Sequence, residues 1–195
     1  MLRFALALAL FPAAAPAACS TGADLPGGIV LVRNEPFLRS NFQRYGPWLV
    51  EYRFDRASGD TVETRSLFEH PLILRERIEA DQTHLKRAYA SDLTALARLD
   101  ELGRFTVPVA ITRDDGEPST GRISFEFLGR GEVDFAGCRY DTWDIRHEVR
   151  LDDGTVRYET WRYAPGLGLV VEITPEDGTR KVAYNWIGTF ADVAR

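Results

Sequence analysis

Two cysteines, three histidines, two lysines and one methionine are all that this 195-residue chain has of those four residue types. His70, His84 and His147 share no metal-ligand spacing such as two histidines four apart on a helix, so no metal site is assigned. His147 has Asp141 and Asp144 close by in sequence, but along a strand Asp144 points to the opposite face. No serine, threonine or free thiol completes a nucleophilic set with it. Apolar runs are short, and none approaches the roughly 20 residues that a membrane helix needs, so no transmembrane segment is expected. Gly166-Leu167-Gly168 is the nearest approach to a phosphate loop, yet it joins strand to strand and offers no helix N-terminus to an anion. There is no internal repeat, and no low-complexity segment beyond the alanines near the start. No catalytic residue and no cofactor is therefore assigned. The net charge of −5 and its interspersed signs argue against a nucleic-acid surface. Arginine outnumbers lysine 22 to 2, which reads as a preference of the lineage rather than as chemistry.

What is present begins with a targeting signal. Arg3 supplies a positive start, Leu2 to Phe11 a short apolar run and Ala15-Pro16-Ala17 small residues for cleavage, so residues 1–17 read as a signal peptide. Residues 18–195 then form one β-rich domain of ordinary size, exported to the periplasm or beyond. Cys19 follows the signal directly, and in an oxidising compartment it should pair with Cys138. The alternative is an outer-membrane lipoprotein with Cys19 lipidated, although Pro16 stands where such signals carry an aliphatic residue.

The fold is announced most clearly between Cys138 and Thr174. At period two, Trp143, Ile145, Val149 and Leu151 form an apolar row, with Asp141 and His147 interspersed, while Asp144, Arg146, Glu148 and Arg150 occupy the other face. A two-residue turn on Asp153-Gly154 would set Arg150 against Arg157 and Glu148 against Glu159. A three-residue loop with Gly154 in the left-handed position instead sets Trp143 opposite Tyr163, Ile145 opposite Trp161, His147 opposite Glu159 and Asp144 opposite Arg162. The second register is predicted. Pro165-Gly166 ends that strand, a third runs through Leu169, Val171 and Ile173, and a fourth spans Arg180–Trp186, giving a four-stranded meander.

Earlier in the chain, Ile29–Arg33 reads as a strand and Asn34–Pro47 as an irregular piece bounded by prolines. Trp48–Asp55 alternates Trp48, Val50, Tyr52 and Phe54 against Leu49, Glu51, Arg53 and Asp55, then turns at Ser58-Gly59-Asp60 into Thr61–Phe68. Residues 72–89 fit either two strands around Ala80-Asp81-Gln82 or a helix, with strands favoured to about Tyr89. Ser91 caps a short helix to Leu102 that sets Leu93, Leu96, Ala97 and Leu99 on one side and stops at Gly103. Phe105–Thr112, Ile123–Leu128 and Glu132–Phe135 complete the strands. The fold class is mainly β (α+β): a single curved antiparallel sheet or half-barrel with one short helix packed on it.

Gly137-Cys138-Arg139-Tyr140-Asp141-Thr142-Trp143, followed by Trp161-Arg162-Tyr163-Ala164-Pro165-Gly166-Leu167-Gly168-Leu169-Val170, resembles uncharacterised exported bacterial proteins, among them those called TapB-like. The resemblance covers about the last third of the chain and is structural in kind. It implies an envelope protein of half-barrel shape, similar in outline to lipoprotein carriers, with a cysteine that pairs near the mature N-terminus. It transfers no catalytic residue. Trp143, Trp161 and Tyr163 are the candidates to line an apolar or lipid-like ligand on the concave side, against the blander role of core packing. The other readings are an interaction module that offers a sheet edge to an envelope protein, and a hydrolase built on His147 with an acidic partner. The oligomeric state has no signal in the sequence.

Overall fold

Strand follows strand through the computed structural model, which describes residues 19–55, 62–90, 92–178 and 181–193. In chain order these are β1 (Ile29–Arg33), β2 (Leu38–Tyr45), β3 (Trp48–Asp55), β4 (Val62–His70), β5 (Ile73–Ile78), β6 (His84–Tyr89), β7 (Arg104–Arg113), β8 (Ser119–Phe135), β9 (Cys138–Leu151), β10 (Val156–Ala164), β11 (Leu169–Pro175), β12 (Val182–Ala183) and β13 (Trp186–Thr189). The predicted signal peptide at 1–17, the Ser58-Gly59-Asp60 turn and the Ser91 cap lie outside the described residues.

Among the described residues, all thirteen strands form one antiparallel sheet in which each of β1 to β11 pairs with the next in sequence, and β13 returns to pair with β1. That order forces the shape. β12 and β13 occupy opposite ends of the sheet, yet only Tyr184 and Asn185 separate them in the chain. Three residue steps span at most roughly 11 Å, so the sheet must curl until its two edges nearly meet. The linking residues hold both sides: the Tyr184 amide donates to the Val171 carbonyl of β11 at 3.4 Å, and the Asn185 amide to the Val32 carbonyl of β1 at 2.9 Å. Register shifts in β4–β5, β8–β9 and β10–β11 add local bend where the curl needs it.

The β9–β10 register is the predicted one, with Trp143 opposite Tyr163, Ile145 opposite Trp161, His147 opposite Glu159 and Asp144 opposite Arg162. The three-residue loop is present too: the Leu151 amide bonds the Thr155 carbonyl, and Gly154 takes φ +91°. Asp144 and Arg162 form an ion pair at 3.0 Å on the outer face.

Several expectations need correction. The irregular piece at Asn34–Pro47 contains a full strand, β2, hidden because its buried row reads Leu38, Ser40, Phe42 and Ser40 breaks the apolar pattern. Ile123–Leu128 and Glu132–Phe135 are one 17-residue strand, β8, because the glycine-containing stretch between them is absorbed as a bulge, with the register shift between Phe127 and Gly129. Opposite that bulge the buried parity of β9 changes, so Tyr140 and Thr142 are inside and Asp141 is exposed. The expected fourth meander strand divides into β12 and β13, each serving a different edge. Residues 73–89 are two strands. The short helix is a 3-10 turn at Thr94–Arg98 leading into α1 (Leu99–Leu102), which is why Leu93, Leu96 and Leu99, three apart, are buried while Ala97 is exposed. A 3-10 turn at Gly22–Asp24 and a terminal helix α2 (Phe190–Val193) were not foreseen.

The apolar interior has two centres. One gathers Leu25, Leu31, Phe42, Leu49, Phe135 and Leu169; the other gathers Leu96, Leu99, Val107, Phe125, Trp143 and Ile145, so α1 and the turn before it close over strands β7–β9. The Cys19–Cys138 disulfide is formed, with a sequence separation of 119. It fixes the N-terminal segment to the start of β9, where the Gly22 amide also bonds the Gly166 carbonyl and Leu25 is buried.

Candidate functional site

Between the two apolar centres the curled sheet leaves a cavity of about 570 Å³. Its apolar walls include Phe42, Leu49, Phe68, Leu74, Val149 and Leu169. Charged side chains enter the same space: Glu51 and Arg53 from β3, Arg77 from β5, Arg87 from β6, His147 from β9, and Arg157 and Glu159 from β10. Each sits at an inward position of its strand, and cross-strand neighbours such as Ser66–Arg77 and His147–Glu159 stand side by side in the register.

One group of these charges satisfies itself. Glu51 is 1% exposed and accepts from the Ser40 hydroxyl at 2.7 Å and from Arg53 through Nε at 2.9 Å and Nη2 at 2.8 Å. Ser40 also bonds the Tyr184 hydroxyl at 2.7 Å, which ties the seam residue to β2 and β3. Burial alone would lower the Arg53 guanidinium; the Glu51 carboxylate and the Tyr184 hydroxyl reverse that and hold it above its ordinary range. Tyr184 is raised by burial. The buried Glu51 thus has a charged partner and a hydroxyl donor, and the half-buried Arg53 keeps part of its contact with water, which is how such a pair is tolerated.

The other cations are less well matched. Arg77 donates to the Ser66 hydroxyl at 3.2 Å and has Glu79 at 3.8 Å, and burial together with the Arg53 charge lowers it. Arg87 and Arg157 have no carboxylate within ion-pair distance among the described residues, and the buried Arg87 Nε has no partner. His147 is 4% exposed, stacked on Trp161 with ring centroids 4.0 Å apart, with Nδ1 3.5 Å from Glu159 and a buried Nε2 that has no partner. Burial lowers the imidazole against the opposing pull of Glu159, so at neutral pH it is uncharged. Glu159 is held low by its hydrogen bonds from His147 and from the Trp161 indole, the latter at 2.8 Å.

Of the three aromatic candidates, Trp161 lines the cavity, whereas Trp143 and Tyr163 lie behind it in the core, edge to face with centroids 5.6 Å apart. His147 and Glu159 are brought together; Asp144 pairs with Arg162 and Asp141 is exposed. Among the described residues no serine, threonine or cysteine lines the cavity, and no three His, Cys, Asp or Glu side chains converge as metal ligands. The cavity arginines escaped the sequence reading, which treated arginine as a compositional habit. Their signal was positional: Glu51 and Arg53 share the period-two row of Leu49, and Arg77 and Arg87 alternate with residues that point outward. No helix of the described residues is long and apolar enough to cross a membrane.

No protein-family model matches the chain, and no curated protein matches it. Among solved structures it is similar to the crystal structure of the hypothetical lipoprotein YmcC from Escherichia coli (K12), at 14% identity over 84% of either chain and a TM-score of 0.46.

Proposed function

We propose that this chain is a non-catalytic protein of the bacterial cell envelope that holds an apolar or lipid-like ligand inside its curled sheet. The observation that carries the reading is the cavity itself: about 570 Å³, walled by aliphatic and aromatic side chains drawn from strands on both sides of the curl. That volume lies inside the roughly 300–1,000 Å³ span of small-molecule sites. The envelope setting is supported by the signal-like residues 1–17 and by a disulfide, which persists in oxidising compartments. The Cys19 sulfur that a lipid anchor would use is bonded to Cys138, which favours a protein free in the periplasm over a lipoprotein.

Two other readings have less behind them. The sheet edges an interaction module would offer are consecutive in the chain and folded toward one another. A hydrolase on His147 and Glu159 would need a nucleophile, and the lining supplies no hydroxyl or thiol of serine, threonine or cysteine. The test is titration of the exported protein with a fluorescent fatty acid while the intrinsic tryptophan emission is followed. Saturable binding with a change in emission that Trp161→Phe diminishes is expected; no binding by a panel of fatty acids and lipids would remove the reading.

A further inference from the structure

The cavity walls are apolar, but its polar groups are not balanced. Four guanidiniums (Arg53, Arg77, Arg87, Arg157) enter it against three carboxylates (Glu51, Glu159 and Asp177, the last in the turn after β11), in a chain whose net charge is −5. Glu51 receives Arg53 and Ser40 on Oε1, and Glu159 faces His147 and the Trp161 indole through Oε2, so each already has a partner of its own. Arg77 keeps only a distant carboxylate, at 3.8 Å. Arg87 shares the lining with His147 and Glu159, its charge acts on both, and its buried Nε is unpartnered. Nε2 of the nine-tenths-buried His147 is unpartnered in the same lining, but with the Nδ1 proton given to Glu159 it is a lone-pair acceptor and takes no part in holding an anion. Desolvated cations are strongly disfavoured unless an anion or hydrogen-bond acceptors meet them. Arg157, exposed at the mouth, adds a cation where a ligand would enter.

We infer that the cavity takes a single-chain anionic amphiphile, its alkyl chain against Phe42, Leu49 and Leu169 and its carboxylate or phosphate head held by Arg77 and Arg87 with Arg157 at the rim. The inference rests on the proposed lipid-like ligand and adds the charge of its head. Guanidiniums suit such a head because their planar forks match two-oxygen anions. Glu51 and Arg53 form the back wall rather than the receptor, since they are already paired.

The experiment compares probes that share a twelve-carbon chain and differ in the head, laurate and dodecyl phosphate against neutral monolauroylglycerol, with inorganic phosphate as a chainless control, by calorimetry on the disulfide-intact protein. Laurate or dodecyl phosphate is expected to bind about tenfold or more tightly than monolauroylglycerol, as a hydrogen-bonded charge should. Inorganic phosphate should bind weakly or not at all. Arg87→Gln and the rim variant Arg157→Gln should each erase most of the preference and leave monolauroylglycerol unchanged. Equal binding of charged and neutral probes overturns the head-group inference while leaving the lipid reading intact. Binding of none of the chained probes removes the lipid reading itself. Inorganic phosphate binding as tightly as dodecyl phosphate overturns the amphiphile in favour of a plain anion site. The comparison of probes on the unmodified protein decides the matter even if Arg87→Gln fails to fold.

Discussion

His147 lies flat against Trp161, the two rings 4.0 Å apart and 20° from parallel, on neighbouring strands whose register sets each of them two residues from the other's partner, on the same face. The stack seals one side of the imidazole, Phe125 stands 5.2 Å away, and Nε2 is left without a partner. A buried orphan of this kind costs about 1–3 kcal/mol. His147→Phe keeps the stack and removes the orphan, so it is expected to leave the melting temperature unchanged or raise it by a few degrees. A fall of more than about 2 kcal/mol in urea unfolding would mean that the Nδ1 bond to Glu159, which the variant also loses, or a partner at Nε2 outweighs the cost of the orphan.

Removing the disulfide should be costly. The bond between Cys19 and Cys138 spans 119 residues of sequence, and on the chain-entropy view a loop of that length contributes about 5 kcal/mol. The double variant Cys19→Ala with Cys138→Ala should therefore lose much of the net stability of a domain this size, read as a drop in the urea midpoint with a steeper slope, because the unfolded chain freed of its cross-link exposes more surface. An unchanged midpoint would show that the N-terminal segment contributes nothing to the folded state.

Glu51 tests whether the interior charge is structural. It is buried, with Arg53 and Ser40 both donating to it. Glu51→Ala strands the Arg53 guanidinium and should cost about 3–5 kcal/mol, while Ser40→Ala, which leaves the ion pair in place, should cost only about 1 kcal/mol. Equal losses from the two would contradict the assignment of Glu51 as the buried partner of Arg53.

Much of this fold was legible before any coordinates. The β9–β10 register followed from charge and aromatic matching because Trp143, Ile145, His147 and Val149 keep one buried row over the paired stretch, so a slip by one residue would have exposed it. The same rule failed where the inside is polar. Ser40, Glu51, Ser66, Arg77 and Arg87 all point inward, and a strand with serine or arginine on its inner face reads as solvent-facing when taken alone. Pairing partners many residues away make those positions tolerable: Ser40 meets Glu51, and Ser66 meets Arg77. Closure of the curl was equally hidden, since nothing local to Val182–Thr189 says that its two halves serve opposite edges.

Acid should weaken the protein between pH 6.5 and about 4. Burial, reinforced by the Arg44 guanidinium, lowers the His70 imidazole to about 4, against 6.5 in an unfolded chain. In that window the unfolded state binds a proton that the native state refuses, so stability rises with pH; the loss is absent above 6.5 and complete near 4. His147 is lowered by burial too and acts with the same sign. Allowing for the partial exposure of His70, its share is on the order of 2 kcal/mol. Denaturant midpoints at pH 7.5 and 4.5 should differ less in His70→Gln, whose oxygen can still accept from the Leu72 amide that His70 Nδ1 now receives at 3.2 Å. An identical pH dependence in the variant would show that His70 takes up its proton freely in the native protein.

The longest ladder in the sheet, β8 against β9, leaves no room at one point. Gly121 faces Leu151 in the register, and a Cβ built there would lie 2.2 Å from the Arg150 carbonyl oxygen and 2.7 Å from the Leu151 Cα. Both are backbone atoms, so no rotamer change can relieve the contact; the strands would have to separate. Gly121→Ala should destabilise by about 1–3 kcal/mol, at the upper end of ordinary overpacking. Because Asp152 donates its amide to the Thr120 carbonyl at 2.9 Å and accepts from the Thr120 hydroxyl at 2.6 Å, the damage should spread into the 152–154 loop. Amide exchange would show it as lost protection at Asp152 and Leu151 before any change at the far end of β9, near Cys138. A variant as stable as the parent, with protection intact, would mean that β8 and β9 are farther apart at Gly121 than this register requires.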